Sequence, residues 1–116
     1  MANAVITMLA HASYAATANS ASSDFQDYKS GWFEIRVSNV SGTNPTLDIV
    51  LQQSNDGTNW TTCYTSAQIT TISTVHVFIP NATQFGFGRY LRAAYTIGGT
   101  ATPTFTFGVS AMARTV

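Results

Sequence analysis

Thr46-Leu-Asp-Ile-Val-Leu-Gln-Gln-Ser-Asn-Asp-Gly-Thr-Asn-Trp60 decides the fold class. It opens with strict alternation: Leu47, Ile49 and Leu51 share one face, and Asp48, Val50 and Gln52 share the other. Side chains alternate across a strand with a period of two, so this segment is a strand with one buried face. It then runs into Ser54-Asn-Asp-Gly57. Asp-Gly after an alternating segment is a strong hairpin signal, because glycine takes the positive φ of a tight turn without steric cost. A second strand follows over residues 59–65. Asn55, Asp56, Asn59 and Trp60 cluster at this turn, and its construction accounts for them. Asn and Asp side chains hydrogen-bond turn backbone, and Trp60 packs over the hairpin end.

The same period organises the flanks. Strands are expected near residues 3–9 and over 13–20, 32–40, 73–80, 89–97 and 103–112, about eight in all, with no helix. In the third, Phe33, Ile35 and Val37 point inward and Trp32, Glu34 and Arg36 outward. Val75, Val77 and Ile79 oppose His76 and Phe78. Leu91, Ala93, Tyr95 and Ile97 share a face, as do Phe105, Phe107, Val109 and Ala111. Ser41-Gly-Thr-Asn-Pro45 and Gly98-Gly99 read as turns. Residues 21–30 and 81–88 read as loops, the second carrying Phe85 and Phe87. Short strands at this spacing predict an all-β fold, an antiparallel β-sandwich or jelly roll. Residues 1–116 form one domain, in which 1–12 is an N-terminal strand or an arm pairing with a neighbouring subunit.

Only 9% of the residues are charged, against about 25% in ordinary soluble domains. Thr, Ser, Asn and Gln supply the polarity instead, and burying a hydrogen-bonded hydroxyl costs far less than burying a charge. A formal net charge of zero leaves copies of the chain little mutual repulsion. Lys29, Arg36, Arg89, Arg92 and Arg114 are scattered and offset by acids, which argues against a nucleic-acid partner, since phosphate binding needs clustered bases. No run approaches the roughly 18 apolar residues of a membrane helix. The apolar stretch at residues 4–10 has no basic residue before it and is interrupted by Thr7, so it is not read as a secretion signal. With a single Lys, the sheet edges lack the usual guard against pairing with other chains.

Catalytic chemistry is thin. His11 and His76 fall on different strands, with no carboxylate at a spacing that marks a partner. Cys63, the single cysteine, has no basic neighbour in sequence to activate it and reads as a small buried hydrophobe. Asp24-Phe-Gln-Asp27 and the Asn55–Asn59 loop lack the graded ligand spacing of a calcium loop. Glu34 is the one Glu, with no second carboxylate at a hydrolase's spacing. No phosphate-binding glycine loop or serine nucleophile elbow occurs. An enzyme is therefore not expected, nor a metal or cofactor. The aromatics Tyr28, Trp32, Phe78, Phe85 and Phe87 fall on outward positions or in loops and are the candidate interface anchors.

Two resemblances bear on function. Ser13-Tyr-Ala-Ala-Thr-Ala-Asn-Ser-Ala21, Gly31-Trp-Phe-Glu-Ile-Arg-Val37, Gly42-Thr-Asn-Pro-Thr-Leu-Asp-Ile-Val-Leu-Gln-Gln-Ser54, Asp56-Gly-Thr-Asn-Trp60, Gly88-Arg-Tyr-Leu-Arg92 and Gly98-Gly-Thr-Ala-Thr-Pro-Thr-Phe-Thr-Phe107 follow one another over nearly the whole chain. In order and spacing this resembles the small all-β virion proteins of tailed bacteriophages, some of which are capsid decoration or cement proteins. The resemblance implies a homo-oligomer, dimer or trimer, bound to the major capsid protein on the outer shell. It also implies synthesis in the host bacterial cytoplasm without secretion, and it brings no catalytic residue. Ser54-Asn-Asp-Gly-Thr-Asn-Trp60 with Phe78-Ile-Pro80 and Arg89-Tyr-Leu-Arg92 is similar to discoidin-type galactose-binding domains over about half the chain. Their usual terminal cysteine pair is missing. This similarity implies a carbohydrate-binding module on a tail or fibre; a tail or neck structural protein is a third expectation.

Overall fold

The computed structural model describes residues 3–79 and 88–115, Asn3 in its backbone alone. Seven antiparallel strands run through them: β1 (Asn3–Tyr14), β2 (Ala18–Asn19), β3 (Ser23–Asp24), β4 (Ser30–Ser54), β5 (Thr61–Thr65), β6 (Ser73–Ile79) and β7 (Tyr90–Arg114). They form one sheet in the order β1-β7-β4-β5, with β2 and β3 added on β7 and β6 on β4. The expected all-β, antiparallel class is the observed one.

β4 and β7 are each 25 residues long. A straight strand of that length would span about 80 Å, yet the longest dimension of the molecule is 46 Å. The ribbon they form is therefore folded in half. Tyr95 and Phe107, both on β7, bring their rings edge-to-face at 5.4 Å. The amide of Phe25 bonds the Arg89 carbonyl beside one end of the ribbon, and that of Lys29 bonds Arg114 at the other. Four residues reach no more than about 14 Å, so the two ends lie close together. One layer holds β1, the second half of β7, the first half of β4, and β6. The other holds β2 and β3, the first half of β7, the second half of β4, and β5.

The fold-back explains where the strand boundaries differ from expectation. Ser41–Pro45 and Gly98-Gly99 are not turns between separate strands. They lie opposite each other at the crease, with Thr43 facing Thr100 and Thr46 facing Gly98, and pairing continues through shifts of register. Both strands bend at the same level, so each pair of expected strands is one bent strand. The crease carries positive φ at Gly42 (102°), Asn44 (50°), Gly99 (125°), Ala101 (57°) and Thr102 (56°). Residues 13–20 also differ, because β1 extends to Tyr14 and the chain then crosses to the other layer. There Ser20 carries the ladder between β2 and β3, its hydroxyl accepting from the Ala93 amide at 2.9 Å. Residues 3–14 pair with β7 of the same chain, and β1 forms one margin of the sheet.

The core lies between the layers. Phe33, Ile35, Val37, Leu47, Ile49, Leu51, Leu91, Ala93, Tyr95, Phe105, Phe107, Val109 and Ala111 are all buried, as the alternation requires. Phe25, in the expected polar loop, is buried too, stacked on Phe33 at 6.0 Å across the layers. Cys63 is buried, and burial pushes its thiol up to about 11.

The Asn55–Asn59 loop is built around one carboxylate. Asp56 Oδ1 accepts from the amides of Asn59 and Thr58 and from the Ser54 hydroxyl, each at 2.8 Å, and Oδ2 accepts from the Asn59 side chain at 2.8 Å. These bonds, the Asn59 amide foremost, hold the Asp56 carboxyl far below its ordinary 3.8. A carboxyl depressed in the folded state stabilises the fold above its unfolded value, and that contribution is lost as pH falls below it. Thermal melts at about pH 7 and about pH 3 should therefore show Asp56→Asn with a lower melting temperature at neutrality and a smaller acid loss than the parent. Equal acid losses would contradict this role.

Candidate functional site

Along the first half of β4 the even-numbered side chains point away from the core, because Phe33, Ile35 and Val37 point into it. Register then places Trp32 between Phe78 on β6 and Met112 on β7, and Met112 beside Val5 on β1. Val5, Met112, Trp32 and Phe78 thus make one row across all four strands of the layer. Val5 is 69% exposed, Trp32 46% and Met112 38%, so water meets a continuous apolar strip. Large exposed hydrophobics scattered singly need no explanation, whereas side-by-side ones make this strip the candidate contact surface.

The strip is flanked by polar rows. On one side Thr7, Ser110, Glu34 and His76 are in register. His76 Nε2 lies 3.0 Å from Glu34 Oε2, and its ring stacks on Trp32 at 5.5 Å between centroids. On the other side the register holds Asn3, Arg114 and Ser30, of which Arg114 is exposed and Ser30 buried, and the Arg114 guanidinium sits 5.8 Å from the centre of the Phe78 ring. Beyond the Glu34 row β1 bulges over β7, where a Cβ on Gly108 would lie 3.0 Å from His11 Cα. This bulge walls a trough of about 260 Å³, lined by Thr7, His11, Glu34, Arg36, Gly108 and Ser110 among others. His11 Nε2 is 2.8 Å from the Ser38 hydroxyl. Among the described residues Arg36 has no ion-pair partner.

Of the expected anchors, Trp32 and Phe78 lie side by side on this face, 6.3 Å between rings. Tyr28 does not join them. It is part-buried against the core, edge-on to Phe25 at 6.2 Å, and closes one end of the sandwich. Phe85 and Phe87 lie outside the described residues. Trp60 is half-buried with the Arg92 guanidinium 4.3 Å above its ring, so it packs across the hairpin onto a strand. Both Asp24 oxygens are engaged, one by the Gln26 amide and one by Arg89 at 3.2 Å. No group of three or more His, Cys, Asp and Glu able to hold a metal occurs among the described residues.

Reading by sequence missed Val5 and Met112 as members of the strip, and Glu34 as the partner of His76. Alternation gives the face of a side chain but not its cross-strand neighbour, and β6 pairs with β4 across an intervening strand in the chain.

A scan against protein-family models finds no match to this chain, and a search of curated proteins finds no significant one.

Proposed function

We propose that this protein is a structural subunit of a bacteriophage virion, of the capsid decoration or cement type. Its partners are the major capsid protein and further copies of itself. The observation that carries this reading is the exposed Val5–Met112–Trp32–Phe78 strip across the outer face of its layer. Three strands of twelve residues and the seven-residue β6, about 4.8 Å apart, present a face of about 680 Å², somewhat below the roughly 800 Å² per partner of a standard protein interface. On this face Glu34 has His76 at 3.0 Å, while Arg36 and Arg114 have no ion pair among the described residues, so whatever covers Arg114 or Arg36 has to supply an acceptor. A subunit of this kind works by adhesion. Each contact is modest, and repetition across a shell supplies avidity. Quantitative mass spectrometry of purified virions tests the reading. Hundreds of copies per particle are expected, and a few dozen or fewer would overturn it.

A second reading, a carbohydrate-binding module, draws on the trough. Glu34, Arg36, His11 and two hydroxyls beside an exposed Trp32 suit a neutral, hydroxylated ligand. Trp60, which the discoidin likeness would favour, is covered by Arg92. A glycan array on the intact chain and on Trp32→Ala tests it. Retention of no glycan by the parent chain removes this reading.

A further inference from the structure

We propose that the apolar strip is the contact between two copies of this chain, related by a two-fold axis lying along it. The proposal rests on the reading of this face as a protein-contact surface and names the partner. The strip has an acid on one side and a base on the other: Glu34 in the row of Thr7, Ser110 and His76, and Arg114 in the row of Asn3 and Ser30. A two-fold rotation about the strip turns a copy over, keeps each position along the strip, and exchanges the two flanking rows. By register Glu34 of each copy then lies opposite Ser30 of the other, one strand from Arg114, twice per dimer.

The Arg114 side chain spans that strand. Arg114 springs from β7 but its guanidinium reaches the Phe78 ring on β6. The head group therefore lies over or beyond β4, the strand that carries Glu34. Glu34 engages His76 through Oε2, which leaves Oε1 to accept a second donor. An axis parallel to the strands would instead set the acid rows against each other, opposing Glu34 to Glu34, so charge selects between the two arrangements. With the axis along the strip the strands of the two copies run antiparallel and pack face to face, the usual aligned geometry of stacked sheets.

The strip lies near one end of the layer, so the overlap covers three rows, two of them four strands wide and the third three, about 350 Å² per copy. That is somewhat under half a standard interface. The dimer is therefore reversible in solution, and a shell that holds many copies would secure it. Arg36 and His11 lie beyond the overlap.

Sedimentation equilibrium on the full chain, from about 1 µM to about 1 mM, tests the proposal. The weight-average mass should climb from the 12.4 kDa of one chain toward twice that value. Trp32→Ser, Glu34→Arg and Arg114→Glu should each remain at 12.4 kDa throughout, with circular dichroism showing that they are folded. The double charge exchange, Glu34→Arg with Arg114→Glu, should restore the rise. A parent chain that stays monomeric overturns the proposal, as does a folded double exchange that fails to associate. If the parent stays monomeric while Trp32→Ser loses attachment to virions, the shell occupies the strip: the dimer fails and the proposed function stands. If Trp32→Ser associates like the parent, the contact lies elsewhere and the proposal is wrong.

Discussion

Phe107→Ala should lower the stability of this protein by about 3–5 kcal/mol, the usual cost of emptying a buried aromatic site. Phe107 is fully buried, and its ring meets Tyr14 of β1 at 5.1 Å and Tyr95 of the opposite layer at 5.4 Å. Tyr14 and Tyr95 also touch each other at 5.4 Å. Three rings from β1 and both halves of β7 thus fasten the fold-back. Removing the central one loses apolar burial and aromatic contacts worth about 0.5–1.5 kcal/mol per pair. A domain of this size is stable by about 5–15 kcal/mol, so the variant sits near the threshold of folding. Urea denaturation measures the loss. Val5→Thr, on the exposed strip, is the contrast and should stay within about 0.5 kcal/mol. Similar losses for the two variants would mean that Phe107 does not hold the layers together.

Gly42→Ala should cost about 2 kcal/mol or more, and Thr102→Gly should have the opposite sign. At Gly42 φ is +102°, and an added Cβ would lie 2.6 Å from Pro103 Cα, a backbone atom that cannot swing aside. Residues held in such backbone conformations cost about 1–3 kcal/mol, before the overlap is counted. Thr102 sits at φ +56° with a branched side chain, next to Ala101 at +57°. A non-glycine residue there costs about 1–2 kcal/mol, offset in part by the roughly 0.5–1 kcal/mol of entropy that glycine loses on folding. The net expectation for Thr102→Gly is a gain of up to about 1 kcal/mol, seen as a raised melting temperature. Destabilisation by Thr102→Gly would show that the crease does not hold this backbone conformation.

These two positions also show what a sequence can and cannot reveal about this fold. Leu47, Ile49, Leu51, Phe33, Ile35 and Val37 were legible as core because burial on a strand follows a local period of two. The crease was not legible. Ser41–Pro45 and Gly98-Gly99 carry ordinary turn residues, and only their meeting across the ribbon turns two breaks into one shared bend. Nothing in Ala101-Thr102 announces positive φ, since neither residue favours it. Phe25 looked like part of a polar loop because its burial depends on the opposite layer. On the contact face, Trp32 and Phe78 were legible one by one as outward aromatics. Val5 and Met112 became their neighbours only through the strand order β1-β7-β4-β6, which depends on long-range pairing.

The central claim is that the strip across β1, β7, β4 and β6 is covered when the protein works. Hydroxyl-radical footprinting of Met112 and Trp32 tests it directly, in dilute isolated protein and in purified particles of the virion to which we propose the protein belongs. Both side chains are exposed in the single chain and should label readily there, with several-fold protection in the particle, whether a second copy or the shell covers them. Equal labelling of Met112 and Trp32 in the two states would contradict the account.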